Sequence, residues 1–380
     1  MENKKKVFVS SGEMSGDLHL SYIIEEIRKK DPNISFYGVI GDKSINAGAN
    51  KITHIKDNDI MGFIEALKKY GYFKQKAEEY LKYIKDNNIE TVIFVDFGGF
   101  NLRFFKLLKK NIPSIKTIYY IPPKIWAWGK NRIKTIKEFD DVIVIFPFEK
   151  EYFHKIEKKS GLYVKYFGNP LVDKYEFSEK LGNKIMLLPG SRKQEIEKYI
   201  PIVIELVKSR EMRNEKFIMK FPDKSHLEYA ENISKKYDID LNEIDNLEIT
   251  LDTIQNLRND CKYAIATSGT VTFELSLTGL PVITVYKASA INAFIARKIV
   301  KVKFVTLTNL NADREIFPEL LQEDFNIKNL MKQCEIIENK KEDIVSELKK
   351  EREKLGEKGV LSKIADYMIE KINGQNGIKN

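Results

Sequence analysis

The chain has 380 residues, enough for two domains, because single cores stop growing below that length. Its 43% apolar and 11% aromatic content, free of low-complexity bias, excludes a disordered chain. The balance of 64 Lys and Arg against 55 Asp and Glu, net +9, favours an anionic partner, while two cysteines exclude a disulfide framework and a cysteine-based zinc site.

Residues 7–11 read as the first strand, too short for a signal-peptide core. No apolar run approaches the roughly 18 residues of a membrane span, so a soluble or peripheral cytoplasmic protein is expected. The strand runs into Ser10-Ser11-Gly12-Glu13-Met14-Ser15-Gly16-Asp17, two glycines and two carboxylates at a strand tip, where clefts of α/β sheets hold ligands. The Gly-x-Gly-x-x-Gly spacing is absent, which argues against a dinucleotide cofactor. Further strands are expected at 35–40, 91–96, 117–121 and 141–146, with helical periodicity between them.

Between the second and third of these strands, Ile60, Phe63, Ile64, Leu67, Tyr70, Tyr72 and Phe73 are interleaved with Lys68, Lys69, Lys74 and Lys76. That pattern fits either a helix resting on an anionic membrane surface or an ordinary core-facing amphipathic helix. Asp96 closes an apolar strand at the cleft edge, where desolvation would raise its pKa toward that of a general base; capping the next helix is the alternative. The segment 121–132 carries Trp126 and Trp128 beside Lys124, Lys130 and Arg132, suited to a ligand wall or phosphate contact, or to core packing.

Residues 168–182, with Pro and Gly and no clear period, read as a linker. A second strand series is expected at 184–188, 216–221, 247–251, 263–267 and 281–286. The first of these ends in Pro189-Gly190-Ser191-Arg192, where Ser191 and Gln194 have capping-box spacing. Arg192 falls in the first turn, where a cation is disfavoured unless an anion binds; it reads as a phosphate clamp or a solvent-facing Arg. No Gly-Lys-Ser/Thr follows, which excludes a P-loop. At 267–274, Ser268 and Thr270 flank Gly269, and Glu274 lies one turn on, placed for ribose hydroxyls or for the helix dipole. The two turns together read as one site for a nucleotide diphosphate. From about residue 329 the chain is rich in Lys and Glu with an apolar stripe at Ile344, Leu348 and Leu355, a solvated helix pair or a packing arm.

These patterns predict an α/β fold of two doubly wound parallel-sheet domains facing a cleft: 1–175, 176–345, and C-terminal helices at 346–380 packing across domains or subunits. No repeat of 20 to 50 residues argues for a solenoid. The lysines are interleaved with glutamates, so no clustered basic face points to nucleic acid.

The motifs at Ser11–Asp17, 60–65, 122–128, 187–192, Ser268–Thr270 with Glu274, 309–315 and 318–322, in this order and spacing, resemble the lipid-A-disaccharide synthase family over most of the chain. The resemblance implies a GT-B glycosyltransferase that moves 2,3-diacylglucosamine from UDP to 2,3-diacylglucosamine 1-phosphate, with inversion and without metal or other cofactor. A UDP-N-acetylglucosamine 2-epimerase or a transferase with a soluble acceptor is the alternative. It further implies Asp96 as the base, Arg192 on the departing diphosphate, and Gly190, Ser191, Ser268, Gly269, Thr270 and Glu274 on the donor. Gly12, Glu13, Ser15, Asp17, Trp126, Arg132, Asn309, Arg314 and Glu315 fall on the acceptor side. Expected partners are the two acylated substrates and the anionic cytoplasmic face of the inner membrane, with a homodimer possible. Two departures stand out: the family's Asp-x-Pro-Asp-Phe-Asn is here Asp96-Phe97-Gly98-Gly99-Phe100-Asn101, and its Ala-Gly-Arg-Glu is Ala312-Asp313-Arg314-Glu315.

Overall fold

The computed structural model describes residues 4–58, 70–127, 129–160, 164–287 and 303–374. Residues 59–69 of the basic apolar stretch, and Trp128, lie outside the described residues. Of that stretch Phe73 packs on the rings of Phe97 and Phe100, at 6.2 and 5.6 Å between centroids, so its C-terminal end faces a core. The chain divides into two compact units, Met1–Pro170 with Glu357–Asn380, and Leu171–Gly356.

The first unit holds β1 (Lys5–Ser11), β2 (Ile34–Ile40), β3 (Asn50–His54), β4 (Thr91–Val95), β5 (Lys116–Tyr120), β6 (Asp141–Val144) and β7 (Lys165–Tyr166). Their order across the sheet is β3-β2-β1-β4-β5-β6-β7, every neighbouring pair parallel. Buried on both faces, the inner strands are runs of Val, Ile and Phe. Their core is aromatic: Phe94, Phe104, Phe105, Tyr119 and Phe139 interlock, with Phe105 and Phe139 stacked at 3.8 Å. The order reverses between β1 and β4, where Ser11 pairs with Val95, so Gly12 and Asp96 leave the sheet side by side at its topological switch point.

The second unit repeats the plan with β8 (Lys184–Leu188), β9 (Lys216–Lys220), β10 (Leu247–Thr250), β11 (Cys261–Thr267), β12 (Val282–Tyr286) and β13 (Glu319–Leu321). The parallel order is β10-β9-β8-β11-β12-β13, and the switch falls between β8 and β11. Tyr199 ties the two switch strands: its hydroxyl donates to the Ile265 carbonyl at 2.7 Å and accepts from the Leu188 N–H at 3.2 Å.

The helix Ile327–Lys354 stays wholly in the second unit, beyond the boundary expected at 345. Leu348 is buried there, and the Arg352 guanidinium donates to the carbonyls of Val172, Tyr175 and Leu277 at 2.7–3.0 Å. Only the last helix, Val360–Asn373, returns to the first unit. There Lys30 pairs with Asp366 at 2.7 Å, the Lys116 ammonium donates to the Lys371 carbonyl, and the Tyr367 hydroxyl donates to Asp141. Lys116 and Asp141 begin β5 and β6, so this helix braces the sheet edge opposite the switch-point tips.

Candidate active site

In the first unit, the backbone turns at Asp96 and Phe97 with φ of 46° and 48°, a left-handed conformation costly for residues with a side chain. Several bonds hold it there. The Asp96 carbonyl accepts from the Tyr119 hydroxyl at 2.8 Å and from the Asn101 amide at 2.9 Å, and its N–H donates to the Ile121 carbonyl at 3.1 Å. Asn101 is itself buried and clamped by Ser10, whose hydroxyl donates to its oxygen at 2.6 Å. Gly12 has to be glycine, because a methyl placed there would meet the Phe97 ring at 2.2 Å.

This turn leaves the Asp96 carboxylate half-buried at the switch point. Burial first, then the nearby charge of Glu13, pushes its pKa up to about 7, against the opposing pull of Lys124. Glu13 is exposed just before the helix Met14–Lys30, and Ser15 lies in its first turn. Asp17 is buried, its carboxylate accepting from the Gly41 and Lys43 N–H groups at 2.8 and 3.1 Å. It caps the helix Asp42–Asn46, a scaffolding task where the sequence suggested an acceptor contact. Trp126 donates its indole N–H to Glu149 at 3.1 Å. Glu149 is buried, and burial raises its pKa. No local pattern marks this pair, because the two residues lie 23 positions apart. Arg132 is half-buried beside the same turn: a methyl on Gly98 would sit 3.3 Å from its guanidinium.

In the second unit, Leu188 pairs with Ala266, and the Thr267 hydroxyl donates to the Pro189 carbonyl at 3.0 Å. The two turns read as one anion site are therefore neighbours. Gly190 takes φ of 101°, open to glycine and strained for other residues. The capping box sits one residue later than Ser191 and Gln194 suggest: Arg192 is the N-cap of the helix Lys193–Lys208. The Glu195 carboxylate reaches back to the N–H groups of Ser191 and Arg192 at 3.1 and 3.2 Å, which a residue three places after the cap can do. Arg192 is exposed and pairs with Glu195 at 3.1 Å. His226, unflagged by sequence, contacts the Ser191 carbonyl at 3.0 Å through one ring nitrogen and Asp223 at 2.8 Å through the other.

Gly269 and Thr270 are exposed at the start of the helix Thr270–Thr278, with Ser268 half-buried before them. Glu274, half-buried in that helix, accepts from the Tyr175 hydroxyl at 2.6 Å. Asn309 is fully buried in the same unit and spends its whole amide on its own loop. It donates to Phe317 and Glu319 and accepts from the N–H groups of Ile316 and Phe317, all at 2.8–2.9 Å. Arg314 pairs with Glu347 and Glu351, while Glu315 is exposed. Asp313 holds φ of 52° at a helix C-cap, a conformation that glycine adopts freely and aspartate tolerates, so the exchange preserves the turn. Among the described residues no group of three or more His, Cys, Asp or Glu could hold a metal, and no helix is long and apolar enough to cross a membrane.

A model of the family described as lipid-A-disaccharide synthetase matches residues 7–372. The chain belongs to this family. The lipid-A-disaccharide synthase of Persephonella marina is 32% identical over 387 residues, covering 96% of this chain and 99% of the relative. Family membership makes the chain a glycosyltransferase of lipid A biosynthesis. Among solved structures, the UDP-GlcNAc 2-epimerase of Neisseria meningitidis bound to UDP-GlcNAc shares the fold at a TM-score of 0.61 and 12% identity, covering 96% of this chain and all of that one. A glycosyltransferase of Rickettsia africae does so at 0.54 and 11%, covering 99% and 100%. Such low identities speak for the GT-B architecture alone.

Proposed function

We propose that this synthase joins 2,3-diacylglucosamine, carried by UDP, to the 6-hydroxyl of 2,3-diacylglucosamine 1-phosphate by a single inverting displacement. The acceptor oxygen attacks the anomeric carbon as Asp96 takes its proton. The bond from that carbon to the β-phosphate oxygen breaks, and UDP leaves with the electron pair. The observation that carries this reading is the Asp96 carboxylate, fixed at a switch-point tip with a pKa near 7, where a base is both ionised enough and basic enough to work at neutral pH.

Charge on the departing diphosphate is the main electrostatic demand of the step. Arg192 answers it, helped by the N–H groups of the Ser268–Thr270 turn and by Gly190 and Ser191, which let the phosphates approach. Arg192 must first leave Glu195. Exposed ion pairs are worth only about 0–1 kcal/mol, so the exchange for a dianionic partner costs little. Glu274 receives the ribose hydroxyls, oriented by Tyr175. Glu13, Ser15, Trp126 and Arg132 line the acceptor side; Asp17 and Asn309 hold the loops behind. The acyl chains stay in contact with an anionic membrane through the basic apolar stretch near Phe63, which makes the enzyme peripheral on the cytoplasmic face of the inner membrane.

The test is an assay with both acylated substrates. UDP release that needs donor and acceptor together, with a disaccharide product, supports the reading. Turnover of unacylated UDP-N-acetylglucosamine without any acceptor would favour an epimerase instead and overturn it.

A further inference from the structure

His226 reaches from the first turn of one helix to the turn that begins another. It lies in the helix Lys224–Lys235, which packs against the helix Lys193–Lys208. One ring nitrogen meets the Asp223 carboxylate at 2.8 Å, and the other meets the Ser191 carbonyl at 3.0 Å. A carbonyl oxygen only accepts. Asp223 also accepts from the Ser225 N–H and hydroxyl and from the His226 N–H. The Ser225 hydroxyl first, then the His226 ring, hold its carboxyl far below the usual carboxylate range, so at neutral pH it is ionised and has no proton to give. Both ring nitrogens must therefore donate for both contacts to be hydrogen bonds, and only the imidazolium carries two N–H groups. A neutral ring, in either tautomer, turns a lone pair toward one of the two acceptors.

We propose that His226 is a positioning residue for the donor diphosphate: as an imidazolium it keeps the Ser191 carbonyl turned toward itself and away from the phosphates, and it adds a positive charge behind the turn. The inference rests on the donor reading above and names a further residue of that site. The peptide unit between Ser191 and Arg192 is held at both ends, its carbonyl by His226 and its N–H by the Glu195 carboxylate at 3.2 Å. The Ser191 N–H donates to the same Glu195 oxygen at 3.1 Å. When a diphosphate draws the Arg192 side chain away from Glu195, these backbone bonds remain, so the clamp changes partner while the turn keeps its shape. The charges lean the same way. His226 faces Asp223 on its own helix and Arg192 and Glu195 at the turn; one turn further on, Lys193 lies over the Tyr229 ring at 5.2 Å and Glu197 accepts from the Tyr229 hydroxyl. The helix dipole and the Arg192 guanidinium both oppose a charged ring at His226, and a bound dianion removes that opposition. Diphosphate binding and ring protonation therefore favour each other, by the same factor in both directions.

The test is UDP binding to the whole chain, followed by calorimetry from about pH 5 to about pH 8, the span in which an imidazole changes charge. The wild type is compared with His226→Ala, His226→Gln and Arg192→Ala. Gln places an amide N–H near the distal ring nitrogen, so it keeps a donor for the Ser191 carbonyl without the charge. Differences between proteins cancel the titration of UDP itself. Across this span wild-type affinity should fall about 5-fold more than that of His226→Gln. At the acid end His226→Ala should lose about 10-fold in affinity, and Gln should recover part of the loss. Arg192→Ala should weaken binding throughout. The same pH slope in His226→Gln as in the wild type overturns the proposal. So does a His226→Ala protein that binds UDP within about twofold of the wild type at the acid end, whether or not its thermal stability has dropped. Should Arg192→Ala be impaired and His226→Ala not, the donor reading stands without His226. A wild type that binds no UDP removes both.

Discussion

Replacing Asp96 with Asn should abolish transfer and make the first unit more stable, with a pH dependence that separates the two effects. Asp96 has its pKa raised from 3.8 to about 7, so the folded state holds a proton that the unfolded chain gives up in between. A raised carboxyl pKa makes stability fall as pH rises from about 4 to about 7, and the loss is complete above that window. About three units correspond to about 4 kcal/mol as an upper bound. The carboxylate is half-buried and partly solvated, so a gain of about 1–3 kcal/mol for the Asn variant at pH 8 is the expectation. For a unit of this size each kcal/mol moves the midpoint by about 2–4 °C. Thermal unfolding at pH 4 and pH 8 measures it: the variants should coincide at the lower pH and separate at the higher. In parallel, wild-type kcat/KM should fall tenfold per pH unit below about 7, as the base becomes protonated. An Asn variant no more stable at pH 8 would refute the burial argument, and one that turns over like the wild type would remove Asp96 as the base.

The groups around Asp96 should tune the same limb with predictable sign. Glu13→Gln removes a charge that raises the Asp96 pKa and should shift the acid limb to lower pH; Lys124→Ala removes one that lowers it and should shift the limb upward, both read from pH–rate profiles. Arg192→Ala should lower kcat/KM for the UDP donor by about 10- to 100-fold and weaken UDP product inhibition to match; unchanged inhibition would disprove the clamp. Asp17→Asn should cost about 1–3 kcal/mol of stability through the Gly41 and Lys43 N–H bonds while leaving acceptor KM within about twofold, whereas a large KM change would return it to the acceptor site. Changing Phe63, Ile64 and Leu67 together to Ser should release the protein from anionic vesicles; retained partitioning would argue for core packing.

The inner strands were legible because burial on both faces leaves no choice of residue. Lys184–Leu188 has the same bounds in sequence and structure, and its four apolar residues are buried. The strands absent from the sequence reading are Asn50–His54, Lys165–Tyr166 and Glu319–Leu321, all at sheet edges, where one flank has no neighbour and polar residues are tolerated. The site divides along a similar line. Residues that mark a strand tip, such as Asp96, Gly190 and Ser268, announce themselves by place. Their partners do not: Ser10 meets Asn101 across 91 residues, Tyr175 meets Glu274 across 99, and His226 meets Ser191 across 35. Such contacts are products of the strand order, and no local pattern encodes them.

The two switch points differ in how they are built, and the difference matches the tasks proposed for them. Around the donor turns, Gly190 takes the left-handed position, and the exposed side chains of Arg192 and Thr270 are free to reorganise around a ligand that arrives and leaves. Around Asp96 the left-handed positions fall on residues with side chains, Asp96, Phe97 and Ile121, each a cost of order 1 kcal/mol or more. The structure offsets that cost with buried bonds from Tyr119 and Asn101 and with the Phe97 ring seated on Gly12. A diphosphate can be held by a pliant cradle, because charge attraction is tolerant of position. Proton removal from an attacking hydroxyl is not: the base must stand within hydrogen-bond reach at the moment of attack. Strain at the β4 tip is therefore the expected signature of the catalytic half. Relaxing it through Asn101→Ala, which removes one of the two hydrogen bonds to the Asp96 carbonyl and leaves that from Tyr119, without touching the carboxylate, should lower kcat far more than it alters either KM. A proportional rise in acceptor KM with kcat preserved would show that the turn serves binding and that its rigidity has nothing to do with the chemistry.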